Sequence, residues 1–337
     1  MSSIDMKKPY VGNKFRRRRL LLFCTIKSVM KMSTKKQMLI ILLVSFLPIM
    51  VLLKLPLPQN NAADPTMDTA TNPLSHRIPV LMKDGSIVQQ DLEEYVLCVV
   101  LQEMPANFEK EALKAQAVAA RTYALKGRNH ADAAVCTDHT CCQAYCTQEA
   151  FSGSAEQLEK MRAAVRETAG QVLVYNAELI DAVYFSCSGG RTEDALAVWG
   201  TDVPYLKSVP SPGEENAEHY TETVYFTAQE FSNRFGGLKG TSASWIGGTR
   251  KTAGDGVAQI IIGGKEYTGT RVREILGIRS TVFQITALGD TVTVTTKGYG
   301  HRVGMSQYGA DAMAVKGANY AEILEHYYPG TELRTMD

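Results

Sequence analysis

The chain has 337 residues, with 36 Lys and Arg against 35 Asp and Glu, a length that holds one large domain or two. Its charge is unevenly placed: before Met38 eleven Lys and Arg face Asp5 alone, so the remainder is net acidic. That polarity is a membrane-topology signal and excludes a nucleic-acid footprint as its reading.

In chain order, residues 1–37 read as a basic cytoplasmic segment. Residues 38–57 read as one N-terminal transmembrane helix: 38–53 are uncharged and apolar, Lys54 snorkels, and Leu55 to Leu57 extend the run. A cleaved signal peptide is the alternative, but no clear small-x-small site follows before Lys54, and a retained anchor is preferred. Residues 58–76, rich in Pro, Asn, Ala, Thr and Asp, read as a flexible linker to a folded region at 77–337.

That region opens with a hairpin about Asp84-Gly85. A helix follows from Leu92, capped by Asp91 with Glu94 completing a capping box, and Pro105 ends it. Asn107 is expected to cap a second, Ala-rich helix running to Gly127. Ser154 and Gln157 box a helix ending near Gly170, and 171–186 read as paired strands. Further strands are expected at 258–262, 281–287 and 291–296, turning at Gly263-Gly264 and Gly289-Asp290. Asn319 and Glu322 box a final short helix. The expected class is α+β, with mixed, hairpin-rich strands and helices and no internal repeat.

Glu103 stands at the end of the first helix, where unsatisfied carbonyls carry partial negative charge. Leu101, Met104, Pro105 and Phe108 add apolar surface, and both effects favour the protonated carboxyl that a general acid needs. Local sequence alone still favours a solvated helix-end glutamate. Lys114 and Arg121, seven apart, share one face of the Ala-rich helix. They read evenly as a structural ion pair or as groups that hold substrate. Four of the seven cysteines fall in 136–146, with His130 just before them. Adjacent Cys141 and Cys142 suit a vicinal disulfide poorly and tetrahedral zinc better. One or two disulfides in a redox-labile loop are the alternative.

Three stretches, "EMPANFEKEALKAQAVAARTYAL" at 103–125, "VYFSCSGGRTEDALAVWG" at 183–200 and "GYGHRVGMSQYGADAMA" at 298–314, resemble the stage II sporulation protein D family of lytic transglycosylases and the related amidase enhancers. The match runs from about Pro79 to the C-terminus. The resemblance implies an extracytoplasmic catalytic region at 77–337 that forms a glycan-binding cleft, with Glu103 as its single acid/base. It also suggests glycan contacts from Lys114 and Arg121. Ser186, Ser188, Gly189 and Gly190 read as a strand-end turn whose hydroxyls and amides face the sugar. His301 and Gln307 read either as cleft-lining groups or as satisfied structural ones, the structural reading being preferred for His301.

The zinc-binding members' ligand spacing falls on His130, Cys136, Cys141 and Cys142, with cysteine in place of the second histidine. His139 and Cys146 remain alternative donors. Four protein ligands make a closed, structural site. The implied biology is cleavage of septal peptidoglycan glycan strands at the mother-cell membrane during engulfment, beside an amidase and a membrane scaffold protein. Two other readings remain: a non-catalytic activator of an amidase, and a catalytic zinc site of an amidase or peptidase. Cys187 with His301 as nucleophile and base is set aside, because nothing at local spacing orients the pair.

Overall fold

The computed structural model describes residues 76–127 and 130–336, so the expected cytoplasmic segment, anchor and linker lie outside the described residues, His76 excepted. Among the described residues no helix is long and apolar enough to cross a membrane.

Strands β1 (Arg77–Leu81) and β2 (Ile87–Asp91) pair antiparallel about Asp84-Gly85, where Gly85 takes φ 88°. Helix α1 (Leu92–Glu103) begins as expected at Asp91, whose Oδ1 accepts from the amides of Glu93 at 2.9 Å and Glu94 at 3.2 Å. The second half of the expected box is replaced: the Glu94 carboxylate accepts from Gln148 Nε2 instead. Helix α2 (Lys110–Lys126) starts later than Asn107 implied. Its N-cap is Glu109, with no side-chain cap, and the Glu109 amide is held by Asp311 Oδ1 at 2.7 Å.

Every α2 residue from Ala115 to Ala124 is buried. Alanine makes this feasible, because it packs closely on all sides and loses no side-chain entropy. Against α2 pack α1 and α3 (Ala155–Glu167), the latter with the reciprocal Ser154/Gln157 cap; the short β3 (Val135–Cys136) lies between α2 and α3 in sequence and pairs in parallel with β1.

The stretch 171–186 departs from the expected run of paired strands. Strand β4 (Gln171–Tyr175) does turn back on β5 (Glu178–Leu179), but β6 (Tyr184–Phe185) leaves the sheet. It pairs in parallel with a strand more than a hundred residues later. Both β6 residues are buried, which suits a parallel pair covered on both sides and leaves no alternating pattern to read.

After the short α4 (Ala195–Trp199) the chain enters a second lobe with its own apolar core. It comprises β7 (Thr221–Thr227), α5 (Ala228–Arg234), β8 (Ile246–Lys251), β9 (Val257–Ile262), β10 (Lys265–Thr268), α6 (Gly269–Leu276), β11 (Val282–Leu288) and β12 (Thr291–Lys297). Two antiparallel sheets, β10-β9-β8 and β11-β12-β7, bury Phe231, Trp245, Ile262, Val272, Val292 and Val294. Along β12 the valines point inward and the alternate threonines outward, the two-residue period of a half-buried strand.

The lobe begins and ends at one place. Thr221 opposes Lys297, and the Gly298 amide donates to the Tyr220 carbonyl at 2.8 Å. The chain then re-enters the helical lobe as β13 (Met305–Ser306), α7 (Gln307–Val315), α8 (Tyr320–Tyr327) and β14 (Glu332–Thr335). β13 pairs with β6, and β14 with β4. The fold is therefore α+β: local hairpins are joined by four long-range pairings, parallel for β1 with β3 and β6 with β13, antiparallel for β7 with β12 and β4 with β14.

Arg302 joins the two lobes. It is fully buried, and its guanidinium donates to the carbonyls of Ser188 and Arg191, each at 2.7 Å, and of Gly254 in the β8–β9 turn. Glu193, also buried, lies 3.7 Å away and accepts from Thr252 and from the Gly254 amide. Burial draws the Arg302 pKa down to about 10, which leaves it charged at neutral pH.

Candidate active site and metal centre

Pro105 cannot continue a helix, so α1 stops at Glu103 with Met104 extended behind it. Glu103 is not the solvated residue that local sequence favoured: it is 4% exposed. The Ala144 amide donates to its Oε1 at 2.7 Å, and Gln307 Nε2 donates to its Oε2 at 3.3 Å. Gln307 opens α7, whose N-cap Ser306 accepts from the Gly309 amide. Gly304 makes that placement feasible. It takes φ 78°, and a Cβ there would lie 2.1 Å from the Val183 carbonyl oxygen, so only glycine lets the returning strand reach β6.

Behind the carboxylate runs a buried polar chain. Tyr184 donates to Gln143 Oε1 at 3.0 Å, and Gln143 Nε2 donates to the Tyr95 hydroxyl at 3.0 Å. Burial first, then the Glu103 charge, pushes the Tyr184 phenol well above its usual pKa, so it remains a donor. Gln143 is thereby fixed from two sides, and with it the neighbouring Ala144 amide.

The residues just before Gln143 form the metal-competent group. His130, Cys136, Cys141 and Cys142 bring their ligand atoms within 4.8 Å of one another. His130 Nε2 is 3.2 Å from Cys142 Sγ and 3.7 Å from Cys141 Sγ, and the two sulfurs are 4.0 Å apart. These separations are close to the edges of a tetrahedron with metal–ligand bonds of about 2.0–2.3 Å, so the residues fit a soft-donor site. Pairing of β3 with β1 seats Cys136. The Asp138 carbonyl accepts from the amides of both Cys141 and Cys142, which folds the loop back over it. A hydrogen bond from Cys142 is the first cause that draws the Cys136 thiol down to about 5.

The two alternative donors lie outside the group. His139 lines an adjoining cavity of about 550 Å³, and the Cys146 thiol bonds to the Thr147 carbonyl.

Lys114 and Arg121 are engaged within the fold. Arg121, fully buried, donates from Nε to Glu93 Oε1 at 2.7 Å and from Nη1 to the Gln171 carbonyl at 3.0 Å. Glu93 lies ten residues before Glu103 on α1, about 15 Å along the helix, so this pair stands at the far end from the candidate acid. Lys114 bridges Glu111 at 2.7 Å and Glu167 at 2.9 Å. The ion-pair reading accounts for both.

The Ser-Gly-Gly loop departs from expectation more sharply. Its donors turn inward onto Glu214: the Ser188 amide at 2.6 Å, the Ser188 hydroxyl at 2.9 Å and the Gly189 amide at 3.2 Å. The Gly190 amide donates to Ser188 Oγ, and the Ser186 carbonyl accepts from the Tyr308 amide. A carboxylate 26 residues downstream occupies the groups assigned to glycan, and no local pattern announces it.

His301 is buried between Phe185 and Trp199, and its Nδ1 accepts from the Val303 amide, so the proton sits on Nε2. Burial, then the Arg273 charge, pushes its pKa down to about 3. Burial, then Glu214, pushes the Cys187 thiol up to about 12. Neither residue suits the nucleophile-and-base pairing that the sequence reading set aside.

Glu103, the Ala144 amide that holds it and the Cys/His group all fall within residues 83–175, which match the family model described as stage II sporulation protein. Stage II sporulation protein D of Bacillus subtilis (strain 168) is 42% identical over 273 residues, spanning 77% of this chain and 79% of that protein. The chain belongs to the stage II sporulation protein D family. Its counterpart in Bacillus amyloliquefaciens is 38% identical over 292 residues, covering 83% of each. The amidase enhancer of Bacillus subtilis is 32% identical over 295 residues, which cover 70% of this chain and 39% of that protein. Membership of the family thus extends beyond the 83–175 core into the second lobe.

Proposed function

We propose that this family member is a peptidoglycan lytic transglycosylase acting on peptide-stripped glycan strands through Glu103 alone. The observation that carries the reading is the seat of this carboxyl: it is buried at the end of α1 and oriented by Ala144 and Gln307. Among the described residues the other buried carboxylates have other work. Glu193 faces Arg302, and Glu214 is bound by Ser188, Gly189 and Ser211. A glycosidase that hydrolyses its substrate normally needs a second carboxyl.

Glu103 protonates the glycosidic oxygen between N-acetylmuramic acid and N-acetylglucosamine. As carboxylate it then takes the proton of the muramyl C6 hydroxyl, whose oxygen attacks C1 and closes a 1,6-anhydro ring. No water is consumed. Gln307 holds one carboxyl oxygen and Ala144 the other, so the acid meets the substrate in one orientation. His130, Cys136, Cys141 and Cys142 would hold zinc as a closed structural site, whose chemistry is to fix the loop that carries Ala144. The setting we propose with it is an N-terminal anchor at 38–57, an extracytoplasmic catalytic region, and work beside an amidase and a membrane scaffold during engulfment.

The test is the mass of products released from peptide-free glycan by wild type and by Glu103→Gln. Anhydro ends, lighter by one water than hydrolysis products and missing with the variant, are expected. Reducing ends would instead demand a second carboxyl. The amidase-enhancer relative favours one other reading, a non-catalytic activator of an amidase. Absence of cleavage by the folded, metal-loaded wild type, with amidase stimulation retained by Glu103→Gln, would move the assignment there.

A further inference from the structure

Cys98 and Cys146 are the two described cysteines that neither the metal group nor the Ser-Gly-Gly loop absorbs. They lie 48 positions apart in sequence, yet the Cys146 amide donates to the Cys98 carbonyl at 3.0 Å. Residues joined by one backbone hydrogen bond have Cα atoms about 5–6 Å apart, inside the range that a disulfide spans. Both thiols are free, with Cys98 buried in α1 and Cys146 half-buried at the surface. Each thiol has a local partner: Tyr145 bonds the Cys98 sulfur, and Cys146 Sγ donates to the Thr147 carbonyl at 3.3 Å. Rotation of both side chains is therefore needed before the sulfurs meet.

We infer that Cys98 and Cys146 form an oxidisable pair that closes to a disulfide, fastening α1 to the loop that carries the Glu103 partner Ala144. The oxidant is a small-molecule or protein disulfide. The accessible Cys146 thiolate attacks one of its sulfurs, expelling a thiolate and leaving a mixed disulfide on Cys146. Cys98, after losing its proton, attacks the Cys146 sulfur and expels the second thiolate. Two S–H bonds break, one S–S bond forms, and the oxidant leaves as two thiols. Burial raises both thiols, Cys98 to about 11, so closure is expected to be slow and favoured at alkaline pH.

The position gives the bond its consequence. Cys98 sits in the helix that ends at Glu103, and Cys146 lies two residues beyond the amide that holds the Glu103 carboxylate. A covalent tie there secures the loop independently of the metal at Cys141 and Cys142.

The test treats the purified, zinc-incubated full-length chain with hydroxyethyl disulfide at pH 8.5, followed by non-reducing peptide mapping. A Cys98–Cys146 cross-linked peptide is expected. The oxidised protein should melt several degrees above the reduced one, and Cys146→Ser should remove both the cross-link and the redox-dependent shift. The inference is overturned if oxidant stops at a mixed disulfide on Cys146. It is equally overturned if Cys146 links to Cys136, Cys141 or Cys142 instead. Because Cys146 is half-exposed, its serine variant is expected to fold, and the mapping result stands on wild type alone.

Discussion

Glu103 accepts hydrogen bonds from distant parts of the chain, among them a backbone amide 41 residues downstream and a side chain 204 residues downstream. The carboxyl itself was singled out only by the family motif, since local sequence favoured a solvated helix-end glutamate. Gln307 was singled out by its motif as a cleft-lining group, not as the donor to Glu103 that it is. The Ala144 amide was not, since a backbone donor has no side-chain signature. Glu214 escaped for a related reason: nothing local distinguishes a carboxylate that caps a loop 26 residues earlier.

His301 makes a prediction at the same scale. Its folded pKa, about 3, lies below the ordinary 6.5, so the unfolded chain binds a proton that the folded one refuses. This contribution to stability is present above about pH 6.5 and is lost as pH falls toward 3. Stability is expected to decline by up to one proton's worth, about 1.4 kcal/mol per pH unit, across that window. His301→Gln should flatten this part of the profile in urea unfolding measured between pH 4 and 7.

Helices α1 and α2 are tied at one end by Glu93 and Arg121. Glu93→Gln leaves a guanidinium with no exposed surface facing neutral acceptors, and the expected cost is about 3 kcal/mol in denaturant unfolding. Replacing both residues by apolar ones of similar volume should recover most of that loss. The loop at 136–146 supplies the other test. Removing metal with a chelator is expected to lower cleavage of glycan while the far-ultraviolet circular dichroism persists, because α2 and its neighbours keep their own core.

Elements with strong local grammar were readable: the Asp84-Gly85 hairpin, the Asp91, Ser154 and Asn319 caps, and the β9, β11 and β12 strands. The start of α2 was not, because it is set by packing and the distant Asp311 rather than by a capping side chain. Two-residue β6 carries too little pattern to reveal its partner.

For the whole molecule, the joint between the lobes depends on one arginine. Arg302 reaches three carbonyls on two segments, Ser188 and Arg191 in one loop and Gly254 in the β8–β9 turn, and only a planar fork spans them together. Arg302→Lys is therefore expected to destabilise the protein by about 3 kcal/mol, nearly as much as Arg302→Ala, since either leaves buried carbonyl acceptors unsatisfied. A lysine variant within 1 kcal/mol of wild type in denaturant unfolding would show that charge alone suffices.

The closed ends of the second lobe bear on how the chain finds its fold. Strand β6 must wait for β13, and between them the chain makes a long excursion through residues 221–297. Because Tyr220 and Gly298 are already joined when that lobe has formed, the excursion drops out of the loop still to be closed. Loop-closure entropy varies only with the logarithm of length, so shortening the search about threefold lowers its free-energy cost by roughly 1 kcal/mol. The larger effect is one of order: the β8–β9–β10 and β11–β12 hairpins assemble from local contacts, and β7 then closes on β12. The scattered pieces around Glu103 then meet across a short remaining stretch.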